Sequence, residues 1–145
     1  MEVVVQQILL ELSKVIINGG SGESLVYSFD GIYSSNDSLS LSISFRTMSS
    51  GTLYFETVGY QWPDEELEVS VEDNSGTTLY SFSGVTEEWL YEPTTVNLSA
   101  NTLYNFNINL NAGSFDGDFL VRNITFTGVD ANSISITKSD GWTQN

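Results

Sequence analysis

Two stretches set aromatic rings among carboxylates. GYQWPDEE carries Tyr60 and Trp62, and EEWLYEP carries Trp89, Tyr91 and Glu92. Sugar rings present apolar C–H faces that pack on indole and phenol, while their hydroxyls seek carboxylate and amide partners. Tyr60, Trp62, Trp89, Tyr91 and Glu92 are therefore the candidate ligand-binding residues. A second reading fits the same residues: Trp62 or Trp89 caps one end of an apolar core, since tryptophan is usually well buried. An extended EEWLYEP would place Trp89 and Tyr91 on one face and Leu90 on the other. Pro93 should end or bend it, and Glu87, Glu88 and Glu92 are costly to bury unpaired. The stretch is therefore expected to be a loop at the rim of the fold, with Leu90 over the core and Trp89 partly open.

Catalysis is narrowed by residue types. With no His and no Cys, the chain has no Ser-His-Asp triad, no cysteine nucleophile and no ordinary zinc site. A carboxylate pair could hydrolyse glycosides, and Asp64, Glu65, Glu66, Glu87, Glu88 and Glu92 could supply one. In a chain this acidic, neighbouring carboxylates are expected as a solvated surface. No catalytic residue is assigned, and the chain reads as non-enzymatic. No cofactor is required. Calcium is the metal its hard oxygen ligands would suit: FDGDF offers Asp116 and Asp118 on a turn, and DGIYSSND offers Asp30, Asn36 and Asp37. A hairpin turn and an ordinary loop explain these stretches equally well. Arg46 and Arg122, the two arginines, are each expected to pair with an acid or to anchor another subunit. Asn36, Asn97 and Asn123 begin tripeptides of the glycosylation type, which mean little in a chain so rich in Asn, Ser and Thr.

The elements that must position these residues are mostly strands. LSLSISF alternates Leu39, Leu41, Ile43 and Phe45 with serines, LEVSVE alternates Leu67, Val69 and Val71 with polar residues, and LYNFNINLN sets Tyr104, Phe106, Ile108 and Leu110 against a row of asparagines. Period-two alternation marks half-buried antiparallel strands. Further strands are expected over 25–29, 52–58, 78–82, 95–98, 119–127 and 133–137, separated by turns such as DNSG and DGD. About nine short strands with no helix between them predict an antiparallel, jelly-roll-like β-sandwich over residues 21–145. Leu41, Ile43, Phe45, Val69, Val71, Phe106 and Ile108 should form its core. Before it, Val5, Ile8, Leu12 and Val15 recur at helical spacing, predicting one short N-terminal α-helix over 3–17, with a Gly-rich hinge completing a unit over 1–20. A helix of that length is marginal alone. It packs either on its own domain or, through those four residues, on other copies of the chain as an oligomerisation element, a short coiled coil of the kind that forms trimers.

The stretch TTLYSFSGVTEEWLYEPTTVNLSANTLYNFNINL, followed by FLVRNITFTG, resembles the later half of a galactose-binding-like jelly roll, the sandwich of non-catalytic carbohydrate-binding modules. Asn101 stands where that pattern has a turn glycine, and asparagine also tolerates a left-handed backbone. The resemblance implies a glycan ligand held by loop aromatics. The N-terminal helix lies outside the pattern.

The chain is 145 residues, enough for one domain with its own core, and carries a formal charge of −15. Such a surface repels nucleic acid and anionic membranes. No apolar run reaches the roughly 20 residues of a membrane span. MEVVVQQILLELSK carries an acid where a signal peptide has bases, so a chain starting at Met1 is expected to escape the usual export route. Together these features favour a non-catalytic structural or interaction protein. The type expected is a virion surface accessory, of the bacteriophage capsid-decoration or head-fibre kind, assembled in a host cytoplasm. Its partners would be a larger protein assembly or its own copies. The alternative is a secreted carbohydrate-binding module of a polysaccharide-degrading enzyme.

Overall fold

The computed structural model describes residues 15–17, 24–60, 65–84, 89–114 and 116–144. Among the described residues eleven strands run in chain order: β1 (Val15–Ile17), β2 (Ser24–Tyr33), β3 (Ser38–Arg46), β4 (Gly51–Tyr60), β5 (Glu66–Asp73), β6 (Thr78–Gly84), β7 (Trp89–Leu98), β8 (Leu103–Asn111), β9 (Gly117–Thr127), β10 (Ser135–Lys138) and β11 (Trp142–Gln144). A 3-10 turn, Ala131–Ser133, precedes β10. One sheet has the order β1-β2-β9-β4-β7, with β11 also on β2; the other has the order β10-β3-β8-β5-β6. Every pairing is antiparallel. Counting from β2, the first eight strands lie in the order 1-8-3-6 in one sheet and 2-7-4-5 in the other, which is a jelly roll.

The alternation legible in the sequence is what builds this sandwich. Leu41, Ile43, Phe45, Val69, Val71, Phe106 and Ile108 are all buried, as their period-two spacing requires. Aromatic pairs bridge the sheets: Phe45 lies 4.8 Å from Phe126 and Phe55 4.6 Å from Phe106, ring centre to ring centre. Asn101 adopts φ +53° in the β7–β8 turn, the left-handed backbone expected there. In DNSG the Asp73 carboxylate accepts from the Ser75 hydroxyl and from the Ser75 and Thr77 amides, closing the β5–β6 hairpin. These bonds, the Ser75 hydroxyl foremost, hold the Asp73 carboxyl below the usual range.

Two expectations need correction. The helix cannot run to residue 17, because Val15–Ile17 pair antiparallel with Ser24–Val26 as β1. Three β-branched residues in a row suit a strand better than a helix, and β2 offers them an unpaired edge. Residues 3–14 of that helix, with Val5, Ile8 and Leu12, lie outside the described residues, as does most of the hinge. Pro93 does not end a loop: Trp89–Leu98 is one continuous strand, with Pro93 opposite Glu56. β7 is the last strand of its sheet, and an edge strand can carry a residue with no N–H to give.

Candidate functional site

On β4, Leu53, Phe55 and Thr57 are buried toward the core, so Tyr54 and Glu56 stand on the outer face of the six-stranded sheet. On β9 the inward residues change phase: Phe119 and Val121 are followed by Ile124 and Phe126. Between them, Arg122 and Asn123 both stand on the solvent side, and Asn123 has φ +53°. This is a β-bulge, and the register slips opposite it in both neighbours, between Tyr27 and Phe29 on β2 and between Tyr54 and Glu56 on β4. Bulges re-aim side chains in this way. The Ser28 hydroxyl accepts from the backbone N–H of Asn123 and so holds the bulge in place.

The bulge aims two donors at one carboxylate. Arg122 Nε donates to Glu56 Oε1 at 2.9 Å, and Asn123 Nδ2 donates to the same oxygen at 3.2 Å. The Tyr54 hydroxyl donates to Glu56 Oε2 at 2.6 Å. Glu56, only 8% exposed, thus has both oxygens engaged. The Tyr54 bond, then Arg122 and Asn123, lower its pKa against the opposing effect of burial. The same bond pushes the Tyr54 hydroxyl up to about 12. Above this base the Arg122 guanidinium lies 5.9 Å from the ring centre of Tyr91, which is 56% exposed. The result is a planar cation and an open aromatic ring, braced from beneath by an ionised carboxylate. It can stack on and hydrogen-bond to a ligand. The lowered pKa favours the ionised form of Glu56, which suits a brace better than a proton donor.

Of the sequence candidates, Tyr91 belongs to this array. Tyr60 pairs with Trp89 across β4 and β7, next along the strands from the Gly59–Leu90 pair. Trp62 lies outside the described residues. Glu92 is separated from Tyr91: it lines the crevice between the sheets, with Thr57, Val69, Tyr80 and Phe82. Val15 is engaged in β1 through its backbone. Asp116 Oδ1 accepts from the Ser35 amide at 2.7 Å and the Ser35 hydroxyl at 3.1 Å, clasping the β2–β3 turn, and Asp118 sits opposite Ile32 in β9. Among the described residues, no group of three or more His, Cys, Asp or Glu is placed to hold a metal ion. Arg46 pairs with Asp130 and Arg122 with Glu56, as expected of the two arginines.

Among the described side chains, Trp142 caps the core. It is 6% exposed, packs edge-on against Phe29 and Phe119, and donates from Nε1 to the Ser40 carbonyl. A second buried acid, Glu65, accepts from the Tyr33 hydroxyl at 2.7 Å. Burial and that carboxylate push the Tyr33 hydroxyl well above the ordinary phenol range. An open depression of about 380 Å³ lies at one end of the sandwich, lined by Ile32, Asp37, Leu39 and Asp140 among others, away from the array.

Sequence reasoning missed Tyr54, Glu56 and the structural part played by Asn123. Two signals carried them: an acid between Phe55 and Thr57, and the phase change across VRN.

No protein-family model matches this chain, and no curated protein matches it. Among solved structures it is similar to a chain of the cryo-EM structure of broad bean stain virus, at 9% identity and a TM-score of 0.46, covering 89% of this chain and 95% of that one. A chain of the infectious bursal disease virus Gx strain structure matches at 14% identity and a TM-score of 0.19, over 90% of this chain and 36% of that one. Neither contributes to the site described above.

Proposed function

We propose that this protein is a non-catalytic structural and interaction protein, a virion surface accessory of the decoration or fibre kind, that works by contact through the outer face of its six-stranded sheet. The observation that supports it best is the Tyr54–Glu56–Arg122–Tyr91 array. A carboxylate with both oxygens occupied suits recognition better than acid–base chemistry, and aromatic and arginine side chains are the usual anchors of protein contacts. The jelly roll is used by viral shells and by lectins alike, so the virion assignment rests on fold-level analogy together with the acidic, cysteine-free sequence. A charge of −15 favours solubility and deters random association before assembly.

The test is capture of assembled particles, from the source that encodes the chain, by immobilised wild-type protein and by Tyr91→Ala. The variant should keep its unfolding midpoint and lose capture. Undiminished capture by Tyr91→Ala would remove the outer face from the contact.

A second reading, glycan binding, is favoured by the 56% exposure of the Tyr91 ring beside the Arg122 donors. Titration with neutral oligosaccharides, wild type against Tyr91→Ala, separates the two: saturable binding lost in the variant supports the glycan reading, and its absence in the wild type removes it.

A further inference from the structure

The fold leaves strand edges open, and they are not alike. β7 carries Glu92 and Pro93, β10 is four residues long and carries Lys138, and β1 and β11 are three residues each. Charge, proline and shortness are the ordinary means of keeping an edge from pairing with another chain. β6 has none of these three, and its one irregularity is a register shift at the start of its pairing, at Leu79. Its seven residues, TLYSFSG, include no charge and no proline. It ends the order of its sheet, and no described strand pairs with its far side. Its pairing with β5 is regular from Val71–Tyr80 to Leu67–Gly84, and the register shift leaves only Leu79 without a partner. Leu79 is 37% exposed, and Tyr80 and Phe82 pack half-buried against the core.

We propose that the β6 edge pairs with the β6 edge of a second copy of this chain, antiparallel about a two-fold axis at Ser81. This contact is separate from the outer-face array and can fail without it.

Charge selects the occupant. Two copies carrying −15 each must meet where neither presents an acid. β6 itself is uncharged; the acids of the neighbouring strand, Glu66, Glu68, Glu72 and Asp73, are on β5, and Glu92 of the facing sheet lines the crevice behind Tyr80 and Phe82. Pairing β6 with β6 separates the two β5 strands by three strand spacings, about 14 Å. That exceeds the screening length of about 8 Å at physiological salt. An uncharged strand gives a basic partner little to gain, and it is where a second acidic copy meets the least repulsion. The register also fits. With Ser81 on the axis, Tyr80 lies opposite Phe82 of the second copy, and the reverse, giving two aromatic cross-strand pairs on the face that already packs inward. Two five-stranded sheets would become one continuous sheet of both copies. A single strand pair is small beside a standard interface of about 1,600 Å², so the contact should be weak in dilute solution and gain strength only when copies are held close together.

Sedimentation of the full chain over a concentration series should show reversible self-association. Ser81→Lys and Ser81→Glu should both weaken it at least tenfold, since either places like charges together at the axis, with far-UV dichroism unchanged. Opposite shifts in the two variants would mean long-range attraction elsewhere and would overturn the proposal. The chain has no cysteine, which permits a direct positional test. Directly opposed residues in antiparallel strands lie about 4.5–5.5 Å apart, within disulfide reach. Ser81→Cys should form disulfide dimers on mild oxidation much faster than Thr95→Cys, an exposed position on β7. Equal rates, or no dimer from Ser81→Cys, would refute pairing at this edge.

Discussion

Asn123 builds the outer-face array, and its replacement separates two contributions. Its backbone sits at φ +53°, and its amide donates to Glu56 Oε1 at 3.2 Å. Glycine accepts that backbone without strain, so Asn123→Gly loses mainly the side-chain bond, about 1 kcal/mol. Alanine loses the same bond and must also hold a left-handed backbone, a further cost of about 1–2 kcal/mol. Asn123→Ala should therefore destabilise by about 2–3 kcal/mol and exceed Asn123→Gly by about 1–2 kcal/mol. Asn123→Asp tolerates the backbone but places a second carboxylate beside Glu56, so it should be markedly worse at neutral pH than in mild acid. Urea unfolding of the three variants against wild type measures each value, provided the slope against denaturant is unchanged. Equal losses for glycine and alanine would show that the bulge relaxes freely, and the claim that it fixes Arg122 over Glu56 would fall.

Phe106→Ala, which empties a fully buried site against Phe55, should cost about 3–5 kcal/mol in the same assay. Tyr33→Phe deprives the buried Glu65 carboxylate of one donor and should cost about 1.5–3 kcal/mol with little change in packing. On the alkaline side, Tyr27, by burial, and Tyr54, by its bond to Glu56, are each raised to about 12. A raised folded value stabilises below the ordinary phenol value of about 10, and that contribution should fade as pH climbs from there toward about 12, followed by unfolding and phenolate absorbance together. On the acid side, Glu56 is lowered, so its contribution is present above the ordinary carboxylate range and is lost as pH falls below it. Glu56→Gln should flatten that part of the stability-versus-pH curve, and an unchanged curve would contradict the brace.

What the chain makes legible by itself is whatever depends on neighbours in sequence. Leu41, Ile43 and Phe45 alternate with serines because adjacent strand residues point to opposite sides, and that rule needs no partner to be read. The left-handed Asn101 and the Asp73 turn are equally local. The apolar run at Val15–Ile17 was ambiguous, since its residues satisfy a helical spacing and a strand alike; the unpaired edge of β2 decided for the strand. Pro93 by itself implies an end or a bend, because its missing N–H matters to any chain that must pair on both sides. Tertiary position on an edge removed that demand. That Trp142 caps the core likewise depended on which strand end faced the gap between sheets. The array lay furthest from sequence. Tyr54 and Glu56, Tyr91, and Arg122 with Asn123 come from three strands, and only the register of β4 between β7 and β9 brings them together. The phase change across Val121–Ile124 announced a bulge, but which carboxylate it would face is a property of long-range pairing, and local pattern carries no information about that.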